Sequence, residues 1–90
     1  MMAIQKQFEL RNKEGLHARP AMKLVETASR FEADISIRFE GREVNAKSIM
    51  SVLTLGAGKG AVLEFEFRGD DAEHAVTALF DLFEGKFDEE

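Results

Sequence analysis

The chain has 90 residues, 44% of them hydrophobic, no cysteine, and a formal net charge of −5. That length and apolar content fit one small domain with a true core, so residues 1–90 are read as a single unit. The composition excludes disulfides and thiolate metal sites, suits a reducing compartment, and argues against attraction to nucleic acid or to an anionic membrane surface.

The opening residues, Met1-Met2-Ala3-Ile4-Gln5-Lys6-Gln7, contain no apolar run of signal-peptide type, and no stretch approaches membrane-spanning length. The expected location is the cytoplasm, with no membrane insertion. Eight phenylalanines without tryptophan or tyrosine point to a dry core.

Ile4, Lys6, Phe8 and Leu10 alternate with Gln5, Gln7, Glu9 and Arg11, which predicts a half-buried strand with Lys6 as the misfit on its apolar side. Asn12-Lys13-Glu14-Gly15 reads as a polar turn. A helix is predicted from Ala18 to about Ser29, with Ala18, Ala21, Leu24, Val25 and Ala28 on one face. His17 stands at its N-cap or next to it. Pro20 lies in the first turn, where a missing N–H costs nothing, and Leu16 is placed to staple onto Ala21. The imidazole is thus held over a helix N-terminus, beside the free amides of Ala18 and Arg19 and the Arg19 guanidinium.

That placement carries chemistry. A free imidazole has a lone pair available near neutral pH and can attack phosphorus. Backbone amides and the planar fork of Arg19 would meet the charge that develops. No carboxylate base or metal cluster is expected near His17, and residues 88–90 are expected to fray. Met22 falls off the centre of the apolar stripe, either at its edge or as an exposed contact beside His17.

Ala33, Ile35, Ile37 and Phe39 predict a second strand, Glu40-Gly41-Arg42 a turn, and Glu43-Val44-Asn45 a short return strand. Ser48 then caps a short helix over residues 49–55, stopped by Gly56. Ile49 and Met50 follow the cap at once, and one of them is expected to face outward. Gly56-Ala57-Gly58-Lys59-Gly60 is loop-like but fails the phosphate-loop pattern, because Gly60 follows Lys59 and Thr54 stands where glycine is required. Ala61, Leu63, Phe65 and Phe67 predict a third long strand. Asp70 and Glu73 form a capping box for a last helix with Ala72, Ala75, Val76, Leu79, Phe80 and Phe83 on its buried face and Phe87 one turn on. His74 lies off that face with no partner spaced to share a metal, so no metal site is expected.

Gly15-Leu16-His17-Ala18-Arg19-Pro20-Ala21 resembles the active-site signature of the HPr family, the histidine-containing phosphocarriers of the phosphoenolpyruvate-dependent phosphotransferase system. Asn45-Ala46-Lys47-Ser48-Ile49-Met50 resembles the family's second signature, and the likeness runs from about Ile4 to Phe87. The resemblance implies an α+β, two-layer open-faced sandwich of order β-α-β-β-α-β-α. Its four-stranded antiparallel sheet, of strand order 1-4-2-3, would be covered on one face by three helices. It also implies phosphorylation of His17, as the pros-phosphohistidine, by enzyme I, and transfer onward to enzyme IIA. The chain would act as a covalent carrier and not as a free-standing enzyme, with no cofactor. Met22, Ile49 and Met50 would form the docking patch. Ser48 stands where the family carries a regulatory phosphorylation site for HPr kinase/phosphorylase. Ser51 and Ala46 depart from the common pattern and are expected to tune that patch.

Two alternatives stand beside this reading. One is a nitrogen-type regulatory carrier of the same system. The other is an RRM-like RNA-binding module, suggested by element order. Ala61 and Leu63 occupy positions where that module needs stacking aromatics, and the charge is also wrong.

Overall fold

The computed structural model describes residues 3–89. The elements run β1 (Ala3–Glu9), α1 (Ala18–Ser29), β2 (Asp34–Phe39), β3 (Arg42–Asn45), α2 (Ile49–Leu53), β4 (Val62–Arg68) and α3 (Ala72–Glu84). The four strands form one antiparallel sheet in the order β1-β4-β2-β3. The implied architecture and strand order are both present.

Period-two alternation fixes which face of the sheet is dry. In β4, Leu63, Phe65 and Phe67 are buried while Val62, Glu64 and Arg68 are exposed. The register pairs Phe8 with Leu63 and Ile37 with Phe65, so the apolar side chains of neighbouring strands share one face. That face is covered by helices. α1 contributes Ala21, Leu24 and Ala28, and α3 contributes Ala75, Leu79 and Phe83. Phe8, Phe65, Phe67, Phe83 and Phe87 meet in one cluster, with ring centroids 4.9–5.9 Å apart. Removing such a ring from water is worth roughly 2–3 kcal/mol.

The opposite face carries Gln5, Gln7, Glu64, Arg38 and Glu43, and a hollow of about 340 Å³ among them does not include His17. An RNA-binding sheet would need aromatics there, but Phe65 and Phe67 lie under the helices. The tight turn between β2 and β3 has Glu40 at φ 51° and Gly41 at φ 80°, the left-handed pair that suits the twist of a two-residue hairpin.

Four sequence expectations are corrected. Phe80 is 48% exposed and not part of the buried face: its ring lies at the β1 edge, 6.3 Å between centroids from Phe8, with its outer side open to solvent. The helix α2 ends at Leu53, two residues early, although Leu55 remains buried. The Asp70–Glu73 capping box does not form. Asp71 is the N-cap, and its carboxylate accepts instead from the backbone N–H groups of Glu32 and Ala33, both at 2.9 Å, tying the end of α1 to the start of α3. Ala46 is fully buried, donating its N–H to the Ile35 carbonyl, and so lies under the surface, not on a docking patch.

Lys6, the misfit, is explained by position. It sits on β1, an edge strand, in register with the Phe8 side of the sheet, and it is exposed. A charge pointing inward on an edge strand discourages a further strand from pairing there.

Candidate phosphoryl-acceptor site

His17 is the N-cap of α1, with extended backbone (φ −87°, ψ −169°), and its carbonyl accepts the first helical hydrogen bond from Ala21 N–H at 3.0 Å. Its side chain caps nothing, which leaves the ring free of the helix. The amides of Ala18 and Arg19 lie in the first turn, where no carbonyl exists one turn back to receive them. Pro20 and Leu16 are buried, so the chain enters the helix from a fixed anchor.

Gly15 makes that entry geometry possible. Its φ is +70°, and a Cβ there would lie 2.6 Å from the Ala57 carbonyl oxygen and 2.7 Å from Gly58 Cα. The backbone of residues 15–16 packs directly on that loop, with Leu16 N–H donating to the Ala57 carbonyl at 2.9 Å. The glycine-rich loop is therefore a wall for the His17 turn and not a phosphate cradle.

The structure also brings a carboxylate to the histidine, against expectation. Glu89 straddles His17 Nε2, at 3.1 Å from Oε2 and 3.3 Å from Oε1. The carboxylate side chain is only 13% exposed, whereas the imidazole is 41% exposed. Asn12, fully buried in the preceding turn, donates through Nδ2 to Glu89 Oε1 at 3.0 Å and to the Gly15 carbonyl at 2.7 Å. Burial pushes the Glu89 carboxyl pKa up. The hydrogen bonds from Asn12 and His17 and the nearby charges of His17 and Arg19 outweigh that push and hold it below its ordinary value.

Glu89 reaches this place through an unusual backbone. Lys86, Phe87 and Asp88 have φ of 54°, 55° and 60°, a single left-handed turn closed by Asp88 N–H to Gly85 C=O and Glu89 N–H to Lys86 C=O. Left-handed backbone costs about 1–2 kcal/mol per residue, so the turn persists only because its surroundings impose it. The fully buried Phe87 ring packs on Phe83, and Lys23 of α1 donates through Nζ to the Phe87 carbonyl at 2.6 Å. Residues 88 and 89 are thus held in place and do not fray; Glu90 lies outside the described residues. Asn12 and Glu89 are the members of the site that sequence reasoning missed. Only the burial of Phe87, legible as a late apolar residue, hinted that the chain returns toward α1.

With Nε2 engaged by an acceptor, Nδ1 is the nitrogen left to act as a nucleophile. Arg19 is exposed on the first turn of α1 and contributes its charge at the same end. Among the described residues no group of three His, Cys, Asp or Glu side chains could hold a metal, and no helix is long and apolar enough to cross a membrane.

The second motif is mostly architectural. Asn45 Oδ1 accepts from Lys47 N–H at 2.9 Å, and Lys47 Nζ donates to the Phe31 carbonyl at 2.7 Å. Ser48 is the N-cap of α2, accepting from Ser51 N–H at 3.4 Å, with its hydroxyl 3.1 Å from that of Ser51. Met22 on α1 is 52% exposed and Met50 on α2 is 71% exposed, while Ile49 is half-buried against the core. α1 packs against α2, which joins the surfaces carrying the two methionines.

Comparison with known proteins agrees with this geometry. A family model described as the PTS HPr component phosphorylation site matches residues 4–85. Phosphocarrier protein HPr of Xylella fastidiosa is 44% identical over 87 residues, 97% of this chain and 98% of the relative. The crystal structure of HPr-C-His from Thermoanaerobacter tengcongensis superposes with a TM-score of 0.89 at 47% identity, covering 100% of this chain and 99% of that one. A phosphocarrier protein HPr from Bacillus anthracis superposes with a TM-score of 0.87 at 42% identity, covering 92% and 99%. The chain belongs to the HPr family of phosphocarrier proteins of the phosphotransferase system.

Proposed function

We propose that residues 1–90 form a single carrier domain acting in the cytoplasm, in which His17 accepts a phosphoryl group at Nδ1 from enzyme I and passes it to an enzyme IIA. Arg19 and the amides of Ala18 and Arg19 stabilise the phosphoryl oxygens. The observation that carries this reading is the half-exposed imidazole at a helix N-terminus with Nε2 already engaged and Nδ1 open. A carrier needs a shallow, approachable site, because its donor and acceptor supply the remaining catalytic groups; the chain is not a free-standing catalyst. Met22 and Met50, with Ile49 at their margin, offer an apolar surface for both partners in turn.

Ser48 is the proposed regulatory site for an HPr kinase/phosphorylase. A phosphate there adds about two negative charges beside Met50 and repels partners with acidic surfaces. The primary test is incubation with phosphoenolpyruvate and enzyme I. Wild type gains one acid-labile phosphate and His17→Ala gains none; labelling that survives His17→Ala refutes the assignment.

A further inference from the structure

We infer that Glu89 is a positioning residue for phosphoryl transfer: by holding a proton on His17 Nε2, it keeps the ring able to take up and release phosphoryl groups at Nδ1 without any proton changing place. The inference rests on His17 being the acceptor, as proposed above, and adds a role for a carboxylate that a carrier site does not require.

The argument starts from the atoms. Nε2 faces both Glu89 oxygens, at 3.1 and 3.3 Å, and a carboxylate only accepts. The neutral ring is therefore held as the Nε2–H tautomer with its lone pair on Nδ1. In the forward step that lone pair forms the N–P bond while the donor's bond to phosphorus breaks and its electron pair leaves with the donor. The ring now carries a positive charge, its hydrogen still on Nε2, directly opposite the Glu89 carboxylate. In the return step an acceptor's lone pair takes phosphorus, the N–P electrons return to Nδ1, and the ring departs as the same neutral tautomer. If Nε2 lost its proton in between, the departing ring would be an anion, a far poorer leaving group.

Three features show that the carboxylate is fixed there. Asn12 holds Oε1 from a fully buried position. Three successive left-handed residues, anchored by Phe87 in the core and by Lys23 on its carbonyl, carry Glu89 to the ring. The carboxyl pKa is held low, so the group is charged whenever the ring needs it. Arg19 is the other charged group acting on the pair, and it favours the ionised carboxylate.

The test uses the full chain with phosphoramidate, a small-molecule phosphoryl donor that needs no partner protein. Wild type, Glu89→Gln and Glu89→Asp are phosphorylated on His17, and the lifetime of the adduct is followed across pH by phosphorus NMR. A partly exposed ion pair shifts a protonation balance by about half to one pH unit. At about pH 8 the Glu89→Gln adduct should therefore last roughly three- to tenfold longer than wild type, with its labile limb moved to lower pH. Glu89→Asp should fall between the two, and Glu89→Gln, which keeps an oxygen for the Asn12 amide, should melt within a few degrees of wild type. Equal lifetimes across pH in wild type and Glu89→Gln, or no adduct on His17 at all, overturn the inference. A wild-type adduct from phosphoramidate without one from phosphoenolpyruvate and enzyme I would instead overturn the carrier reading and leave the role of Glu89 standing.

Discussion

Gly15→Ala is the substitution that most directly probes how the site is built. Two costs arise at once. The backbone at φ +70° is left-handed, which costs an alanine about 1 kcal/mol over glycine. The new Cβ would also lie 2.6 Å from the Ala57 carbonyl oxygen and 2.7 Å from Gly58 Cα, backbone atoms that cannot rotate away. Relieving that contact pushes the loop off and breaks the 2.9 Å hydrogen bond from Leu16 N–H, which adds about 1–3 kcal/mol. The sum is about 3 kcal/mol, a large part of the roughly 5–13 kcal/mol typical of a chain this size. It corresponds to a fall in melting temperature of about 12–24 °C. Gly41→Ala is the matched control: its φ is +80°, yet nothing lies within 4 Å of the added carbon, so it should cost only the backbone part, about 1 kcal/mol. Thermal and urea unfolding of both variants isolates the steric component as their difference. If Gly15→Ala melts within a few degrees of Gly41→Ala, the 57–58 loop is not the wall described here. The variant should also accept phosphate more slowly while still folded, because the turn that carries His17 no longer rests on the 57–58 loop.

Three further outcomes follow from the packing and the charges. Asp71 accepts two backbone N–H groups, and these bonds, led by that from Glu32 and partly opposed by burial, lower its carboxyl pKa below the ordinary 3.8. The folded state then binds fewer protons than the unfolded chain, so this contribution is complete above about 3.8 and is lost as pH falls through the lower folded value. Asp71→Asn should be less stable than wild type at neutral pH and show a flatter acid limb in a pH series of unfolding curves; parallel limbs would remove Asp71 from that role. Phe83→Ala, which empties the centre of the ring cluster, should cost about 3–5 kcal/mol by urea unfolding, whereas Phe80→Ala, at an exposed site, should cost about 1 kcal/mol or less. Met50→Asp should leave stability within about 0.5 kcal/mol of wild type but raise the KM for phosphoryl transfer from enzyme I about tenfold or more, and an unchanged KM would place docking elsewhere.

Local pattern carried most of the architecture. The alternation in β1, β2 and β4 and the 3.6-residue stripe of α1 are each written within a dozen consecutive residues, and all four elements lie where that pattern puts them. Strand order is a long-range property that no window contains, and it came only through the family likeness. The failures share a cause. Asp71 has local cap geometry available, but its carboxylate is claimed by the amides of Glu32 and Ala33 from another part of the chain. Phe80 belongs to the apolar stripe by spacing, yet it meets only the edge of the sheet, beside Phe8 of β1, and stays half-exposed. His17 and its helix were legible because the motif is contiguous. Glu89 was not, because it comes to the ring from 72 residues away, through a left-handed turn that no non-glycine sequence announces.

That turn has a consequence for how the molecule wears out. A single residue, Asp88, separates Phe87, sealed in the hydrocarbon interior, from Glu89, resting on the His17 imidazole. Slackening of the far end of α3 would carry Glu89 away from His17 without any strand having to part. The packing of one core ring and the setting of one surface ring are thus joined through a single turn of chain.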